Sequence, residues 1–256
     1  MLIINSDDFG INSSTNKAIV SSILAGLCSS TTLMTNMPGF EEACSLVHEH
    51  RLQRHIGLHL VLRDGVPLTR EIQKYKRFCD QEGRLRLDAS PTVFTLETSE
   101  RLALATEVRA QINRCRAEGI PLTHMDSHYH LHNLWPILDV VISVALSERI
   151  QYVRLARNCG GEIGLKKRVY KALVNNKLRR AGLTRTTYFG NLADYLFMQR
   201  HRPLDCRQPF EIMIHAIIHE AGFLADAGDN QPLQDRMKDV QLFSQPRSFA
   251  GAQYRG

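Results

Sequence analysis

One stretch of the chain reads Leu122-Thr-His-Met-Asp-Ser-His-Tyr-His-Leu-His132 and holds one aspartate and four histidines within eleven residues. In an extended chain, side chains alternate between two faces, so the polar side chains at every second position share one face. Carboxylate and imidazole groups on one surface suit a divalent cation such as Zn²⁺, Mn²⁺, Co²⁺ or Mg²⁺. A polar turn with solvated histidines is the alternative. The pattern predicts a strand and exit loop whose ligand face carries Asp126, His128, His130 and His132.

A second polar cluster follows the first apolar run of the chain. Leu2-Ile-Ile4 leads into Asn5-Ser-Asp7-Asp8-Phe-Gly10, which is typical of a buried strand with polar groups at its C-terminal end. Adjacent carboxylates repel, so the pair is better tolerated if one binds a cation and the other remains free to take a proton. Capping of the following helix would account for one of the two aspartates but hardly for both.

Predicted strands and helices alternate along the rest of the chain. We expect strands at about 28–36, 55–62, 151–157, 186–190 and 210–219, and helices at about 12–25, 40–51, 99–118, 134–149, 165–180 and 229–244. No linker, internal repeat, Gly-x-Gly-x-x-Gly motif or P-loop interrupts the alternation, which indicates a parallel sheet or barrel in one domain, residues 1–256. A long loop at about 63–99 is expected either to roof a site or to be a plain surface excursion.

Composition indicates the general class of protein to which the chain belongs. Of 256 residues, 43% are apolar and 23% charged, as in an ordinary globular protein. The six cysteines form no Cys-x-x-Cys pair, which argues against a zinc-thiolate site and a disulfide framework. We see no secretion signal and no apolar run long enough to cross a bilayer, so the expected location is cytoplasmic. The net charge of +6 does not by itself indicate nucleic-acid binding.

Further candidates for a site fall near the ends of predicted strands. His59 lies in an apolar context that usually marks a core histidine, but the ligand cluster elsewhere gives it metal-binding partners. Arg154 and Arg157 would hold an anionic group or cap surface acids. His215 is a candidate proton donor. The basic helix at 165–180 is either a solvated face or a patch for anionic lipid or an anionic substrate.

Five motifs occur in order along the chain: Asn5-x-Asp7-Asp8-Phe9-Gly10, Ser30-Thr-Thr32 with Asn36, Gly57-x-His59-Leu60, Thr123-His-x-Asp126-Ser-His128-x-His130-x-His132, and Glu211-x-Met-x-His215. Together they resemble the YdjC-like carbohydrate deacetylases, the ChbG/HpnK group, over most of the chain and densely to about Pro136. The resemblance implies a distorted (β/α) TIM-like barrel, deacetylation of an N-acetylated sugar, and one divalent metal ion. That ion would be Mg²⁺, with Zn²⁺ or another transition metal as the alternative.

The resemblance also implies roles for individual residues. Asp8, His59 and His128 are the expected metal ligands, Asp7 the general base, and His215 the proton donor. Residues expected to support these groups or to contact substrate are Asp126, His130, His132 and Arg154. The family usually continues the last histidine with proline, whereas this chain has Ala216, so the local turn is expected to differ.

The chemistry of amide hydrolysis agrees with this assignment. A cation with three protein ligands and open positions acidifies its water and polarises the carbonyl. Asp7 would take the proton of that water, and His215, or failing that His130, would protonate the leaving nitrogen. Asp126 would orient a ligating imidazole.

Two alternative functions remain open at the level of sequence. One is a metal-dependent phosphoesterase or amidohydrolase on the same barrel, and the other is a non-catalytic sugar-binding relative. The expected partner is an N-acetylated saccharide, with no nucleic acid and no transmembrane segment. Peripheral contact with an anionic surface or a lipid-linked sugar, and a homodimer, are open expectations.

Overall fold

A six-stranded parallel sheet forms the centre of the computed structural model, which describes residues 1–87, 95–161, 164–201, 208–241 and 249. Its strands are β1 (Leu2–Phe9), β2 (Ser30–Leu33), β3 (Ile56–Leu60), β4 (Met125–Ser127), β5 (Tyr188–Asn191) and β6 (Phe210–Ile214). They lie in the order β4-β3-β2-β1-β6-β5 with every neighbouring pair parallel. The carboxyl ends of all six strands therefore meet along one edge.

Helices and a short hairpin complete the described part of the chain. The helices are α1 (Ser13–Leu24), α2 (Phe40–Glu49), α3 (Arg70–Gln73), α4 (Thr98–Ala117), α5 (Trp135–Ser147), α6 (Leu165–Arg180), α7 (Leu192–His201) and α8 (Leu233–Gln241). The hairpin pairs β7 (Ala216–Ile218) antiparallel with β8 (Leu224–Asp226). Among the described residues, no helix combines the length and hydrophobicity needed to cross a bilayer.

Apolar packing covers the central strands. All residues of β2 and β3 are buried, as is typical of parallel strands covered on both faces. The larger apolar cluster packs α1, α2, α4 and α5 against β1 to β4. The smaller one packs α7 and α8 against β1 and β6. The central strands are thus held rigidly, and their polar ends have fixed positions.

The predicted alternation of strands and helices is confirmed for most elements. Helices α1, α2, α4, α5 and α6 begin and end within about two residues of their predicted bounds. The last predicted helix appears as α8, and its predicted residues 242–244 lie outside the described part. Helix α7 was not predicted from the sequence, and the strand predicted at 210–219 divides into β6 and β7 at His215.

The predicted parallel α/β arrangement is confirmed, but a full TIM barrel is not shown. The strand expected at 151–157 is reduced to an isolated parallel bridge between Met125 and Val153. Val153 N donates to Leu183 O, and Arg154 N donates to Met125 O. The segment therefore follows the edge of β4 without forming a regular strand, and the described sheet is a half-barrel.

Within residues 122–132, predicted as a strand with its exit loop, the strand covers Met125–Ser127 alone. The strand ends there, and His128–Asn133 form a 3₁₀ segment in which Tyr129 and His130 have φ of +53° and +54°. This left-handed backbone breaks the two-residue alternation. Asp126 and the three following histidines consequently do not share one face.

Part of the long segment after β3 is anchored to the core. The Glu107 carboxylate in α4 accepts hydrogen bonds from Leu68 N and Thr69 N at 3.0 and 2.9 Å. Bridges pair Arg63 with Arg86 and Cys79 with Leu85. Residues 88–94 of the predicted loop lie outside the described part.

Gly57 should be intolerant of a side chain, because a Cβ there would lie 2.5–2.6 Å from three atoms of the buried His124 ring. We expect Gly57→Ala to lower the free energy of unfolding by about 1–3 kcal/mol, as overpacked core sites do. Urea denaturation measures this change. The control is Gly161→Ala, where a Cβ would have no neighbour within 4 Å. Equal stability of the two variants would contradict the packing of His124 against β3.

Candidate active site

Three side chains converge at the carboxyl edge of the sheet. Asp8 comes from β1, His59 from β3, and His128 from the residue after β4. Their potential ligand atoms all lie within 4.8 Å of one another. Asp8 Oδ1 is 3.2 Å from His59 Nε2 and 3.1 Å from His128 Nδ1. The structure therefore brings together the three residues expected to bind metal.

The donor set and its surroundings fit a divalent cation. Asp8 Oδ1 is buried, yet it has no well-directed hydrogen bond within the described part of the chain. A buried polar atom without a hydrogen bond is costly unless another partner satisfies it. One carboxylate and two imidazoles are a common protein set for Zn²⁺ and related ions. These residues could hold a metal ion.

An irregularity in β1 lets two adjacent aspartates reach the same site. Neighbours in a regular strand point to opposite faces. Here the register with β2 shifts between Ser6 and Phe9, and Asp8 has φ of +70°. Such bulges redirect side chains next to functional sites. Asp8 thus reaches His128, while a carboxylate oxygen of Asp7 lies within 4.8 Å of ligand atoms of His59 and Asp126.

Asp126 fixes the orientation of His59. The two residues are paired in register between β3 and β4, and Asp126 Oδ1 lies 2.7 Å from His59 Nδ1. Thr32 Oγ1 donates to Asp126 Oδ2 at 3.1 Å. With Nδ1 engaged, Nε2 faces Asp8. This is the contact expected of a carboxylate that orients a ligating imidazole.

Arg154 is a fully buried cation surrounded by three carboxylates. Its Nη1 and Nη2 donate to Asp7 Oδ2 and Oδ1 at 2.6 and 2.7 Å. Its Nε donates to Glu211 Oε1 at 2.6 Å, and Nη1 lies 2.6 Å from Asp126 Oδ2. From the sequence, Arg154 is expected to hold an anionic group or to cap surface acids. In the structure its partners are the protein's own buried acids.

Burial and charge shift the pKa values of these groups in different directions. Burial alone would raise the pKa of Asp8, but His128 and His59 bring it well below its usual range. Burial opposes protonation of His59, but Asp126 and Asp8 raise its pKa to about 10. Burial raises the pKa of Glu211 to about 7 despite Arg154. A histidine must lose its proton before that nitrogen binds metal, so metal and proton compete at His59.

His215 lies at the more exposed side of the site. Its Nε2 is 4.0 Å from Asp8 Oδ2, and its side chain is 39% exposed. The backbone N of His215 donates to Asp226 Oδ1 at 2.7 Å, and Ala216 N donates to Ser6 Oγ at 3.2 Å. Proline has no N–H and could not make the second bond. The departure from the family's proline therefore has a structural counterpart at the start of β7.

Within the described part of the chain, His130 and His132 belong to neither group of residues able to hold a metal ion. His132 Nδ1 lies 2.6 Å from Ser127 Oγ, and its Nε2 lies 3.1 Å from Arg154 O. Burial lowers the pKa of His132 to about 3 and that of His130 to about 4. The His130 ring packs edge-on against Phe189. Both are thus neutral at neutral pH, and His132 braces the loop that carries His128.

Several residues that contribute to the site stand in the sequence motifs without a predicted role. Asn5 Nδ2 donates to Asp7 Oδ1 at 2.8 Å, and Thr32 Oγ1 lies 3.1 Å from His59 Nδ1. Glu211 anchors Arg154. All three stand in the motifs that carried the family resemblance, so their presence was visible in the sequence. The contacts of Thr32 with His59 and of Glu211 with Arg154 join segments far apart in the chain and were not visible, whereas Asn5 and Asp7 are near neighbours on β1.

Comparison with known proteins identifies the family of this chain. A family model described as YdjC-like protein matches residues 1–250. The chain, an α/β protein with acid and histidine groups able to hold a metal ion, therefore belongs to the YdjC-like family.

Similar proteins carry a more specific name. A carbohydrate deacetylase of Brevibacillus brevis is 39% identical over 150 residues, which is 58% of this chain and 57% of that protein. A carbohydrate deacetylase of Clostridium beijerinckii is 35% identical over 150 residues, 58% of each chain. The match thus spans less than two thirds of these relatives' length.

A solved structure shares the fold. It is a protein of Enterococcus faecalis V583 provisionally described as a cellobiose-phosphate cleavage protein, with a TM-score of 0.65 and 20% identity. The similarity covers 94% of this chain and 89% of that one.

We expect Asp8→Asn to weaken divalent metal binding by at least about 100-fold, since the loss of a ligand costs more than the loss of a supporting contact. The native chain should take up one ion, with an affinity that rises with pH because metal displaces a proton from His59. Titration calorimetry and elemental analysis measure both quantities. Asp235→Asn, an exposed acid in α8, is the control. Unchanged affinity in Asp8→Asn would remove Asp8 from the ligand set.

We expect Arg154→Met to lower the free energy of unfolding by about 3–5 kcal/mol, because it leaves buried carboxylates without their cation. Arg114→Met should cost less than about 1 kcal/mol, because the side chains of Arg114 and its partner Glu41 are 38% and 71% exposed. The deficit of Arg154→Met should be smaller at about pH 5 than at about pH 8, because a protonated Glu211 needs no cation. Urea denaturation at both pH values tests this, and a small, pH-independent deficit would contradict it.

Proposed function

We propose that the protein is a metal-dependent hydrolase that removes the acetyl group from an N-acetylated sugar or oligosaccharide by cleaving the amide C–N bond. The observation that carries the proposal is the convergence of Asp8, His59 and His128 directly beside Asp7. Membership of the YdjC-like family and similarity to proteins named carbohydrate deacetylase support it.

Asp8, His59 and His128 would hold one divalent ion, Mg²⁺ by family resemblance or else Zn²⁺ or another transition metal. When bound, such an ion acidifies a water molecule and polarises the amide carbonyl. Asp126 keeps His59 aligned for this task through its 2.7 Å contact with Nδ1.

Asp7 is our proposed general base. Its carboxylate is nearly buried and is oriented by two hydrogen bonds from Arg154 and one from Asn5. Paired, charge-assisted bonds fix a carboxylate in position more firmly than single ones. Arg154 also offsets part of the repulsion between Asp7, Asp126 and Glu211. Arg154 and Glu211 are accordingly proposed as positioning residues.

His215 is our proposed proton donor to the leaving nitrogen. It lies beside Asp8 on the side of the site that is open to a ligand, and its ring is partly exposed. The alternative donor, His130, is less suitable because burial lowers its pKa to about 4 and its ring is packed against Phe189. A general acid must carry its proton at the operating pH.

We propose that the saccharide lies in a cleft next to the site. The cleft has a volume of about 830 Å³ and is lined by residues that include Asn36, Met37, Arg63, Asp64, Arg84 and Arg114. It adjoins the ion site through Tyr129, whose ring centroid is 4.2 Å from that of His128 and lies under the Arg63 guanidinium. Amide and guanidinium donors suit sugar hydroxyl groups. The long loop would then contribute binding groups.

The alternatives differ from this proposal in metal count and turnover. Phosphoesterases of this kind often use two metals. A second group able to hold metal, Asp7, His59 and Asp126, shares His59 with the first. Both of its acids are already paired with Arg154, which favours one ion. A non-catalytic sugar-binding relative would bind a saccharide without turnover.

Cytoplasmic location, a homodimer and contact with an anionic surface remain proposals.

Acetate release from a panel of N-acetylated sugars, with and without a chelator, tests the proposed activity. We expect release that depends on added divalent metal. His215→Ala should lower kcat by about 10²–10⁴-fold, because a general acid contributes that much, while metal binding is retained. His219→Ala is the matched control, because His219 is a partly buried histidine in the turn of the adjoining hairpin.

The variants separate the parts of the proposal. Absence of acetate from every sugar, with metal bound, would contradict deacetylation. An unchanged rate in His215→Ala combined with loss of activity in Asp7→Asn would leave deacetylation intact but reject His215 as the donor.

A further inference from the structure

Helix α6 presents an apolar stripe to solvent. Leu165, Val169 and Leu173 follow one another at four-residue spacing, so they lie in a row on one face of the helix. Their exposed fractions are 68%, 52% and 52%. The face that packs on the protein is the opposite one, where Val174, Asn175 and Leu178 are buried. Single exposed apolar residues are ordinary, but an aligned row on a docked helix indicates a contact surface.

The same helix concentrates positive charge. Its sixteen residues include seven lysines and arginines and no acid. The helix therefore carries more positive charge than the net charge of the whole chain, which is +6. Helical periodicity places Lys166 on one side of the apolar stripe and Arg168 and Arg179 on the other. Of the seven lysines and arginines of α6, Lys177 forms a salt bridge within the described part of the chain, and its partner is Asp139. Cations therefore flank the stripe on both sides.

This combination selects among possible partners. A second copy of the chain in a two-fold dimer would set one cationic helix against the other, and like charges in contact oppose association. Nucleic-acid surfaces combine cations with stacking aromatic side chains or base-edge donors, whereas the middle of this face is aliphatic. An anionic phospholipid surface matches both features, because aliphatic side chains enter the acyl boundary while flanking cations meet the phosphates.

We propose that α6 binds the surface of an anionic phospholipid bilayer, lying in its plane with Leu165, Val169 and Leu173 inserted. Long basic side chains beside the stripe extend their charged ends toward the headgroups. This inference does not rest on the proposed function, because binding to vesicles is measured without a saccharide.

Contacts of α6 connect this surface to the candidate active site. Tyr170 Oη donates to Asn133 O at 2.8 Å and accepts from Trp135 N at 3.0 Å. Asn133 ends the segment that begins with the proposed ligand His128. A membrane-bound helix would therefore hold the site at a fixed position relative to the bilayer.

Vesicle co-sedimentation of the full chain tests the proposal. We expect binding to mixed phosphatidylcholine–phosphatidylserine vesicles, little binding to phosphatidylcholine alone, and weaker binding at high salt. The triple variant Leu165→Ser/Val169→Ser/Leu173→Ser should lower the apparent affinity at least about tenfold, because both apolar insertion and charge contribute. The matched control is Leu102→Ser/Leu146→Ser, which changes leucines that are 65% and 53% exposed on other helices.

A charge variant gives an independent readout. Lys166→Glu/Arg168→Glu should weaken binding and reduce its salt dependence. Circular dichroism and sedimentation velocity accompany each variant to report folding and oligomeric state. Absence of phosphatidylserine-dependent binding, or equal losses in the triple variant and its leucine control, would overturn the proposal. A native oligomer that the triple variant dissociates, without vesicle binding, would show instead that α6 contacts a second copy.

Discussion

The positions of three buried acids in the candidate site depend on the buried guanidinium of Arg154. Asp7, Asp126 and Glu211 come from three strands and would repel one another without a cation between them. Arg154 itself is held by a segment that follows the edge of β4 without becoming a regular strand. The same cation thus orients the proposed base and supports the carboxylate that aligns His59.

Parallel strands explain why residues distant in the chain meet. Asp8, His59 and His128 stand at the carboxyl ends of β1 and β3 and just after β4, which share one edge of the sheet. Regular strands alone would not suffice, because Asp7 and Asp8 would then point to opposite faces. The bulge and the positive φ at Asp8 place both acids at the site. Backbone strain at this point is consistent with a functional position.

Family membership and site geometry give different information about this protein. The matched relatives are named carbohydrate deacetylases, but the match spans 57% and 58% of their length. The geometry adds detail that a family name lacks. His215 is partly exposed beside Asp8, whereas His130 and His132 belong to neither group of described residues able to hold a metal ion. It also gives the replacement of the family's proline a physical basis, since Ala216 N–H bonds to Ser6 Oγ.

The sequence by itself determined the parallel α/β class and most helix bounds, and its family resemblance implied the three proposed metal ligands. Apolar periodicity and clusters of acids and histidines are local patterns, so they can be recognised in the sequence alone. Tertiary structure alone decided that 151–157 is not a regular strand, that the chain after Ser127 turns left-handed, and that Arg154 binds the protein's own acids. Each of these three features depends on contacts between groups far apart in the chain. A buried charge without a partner is costly, so the folded chain adopts the conformation that brings the partners together.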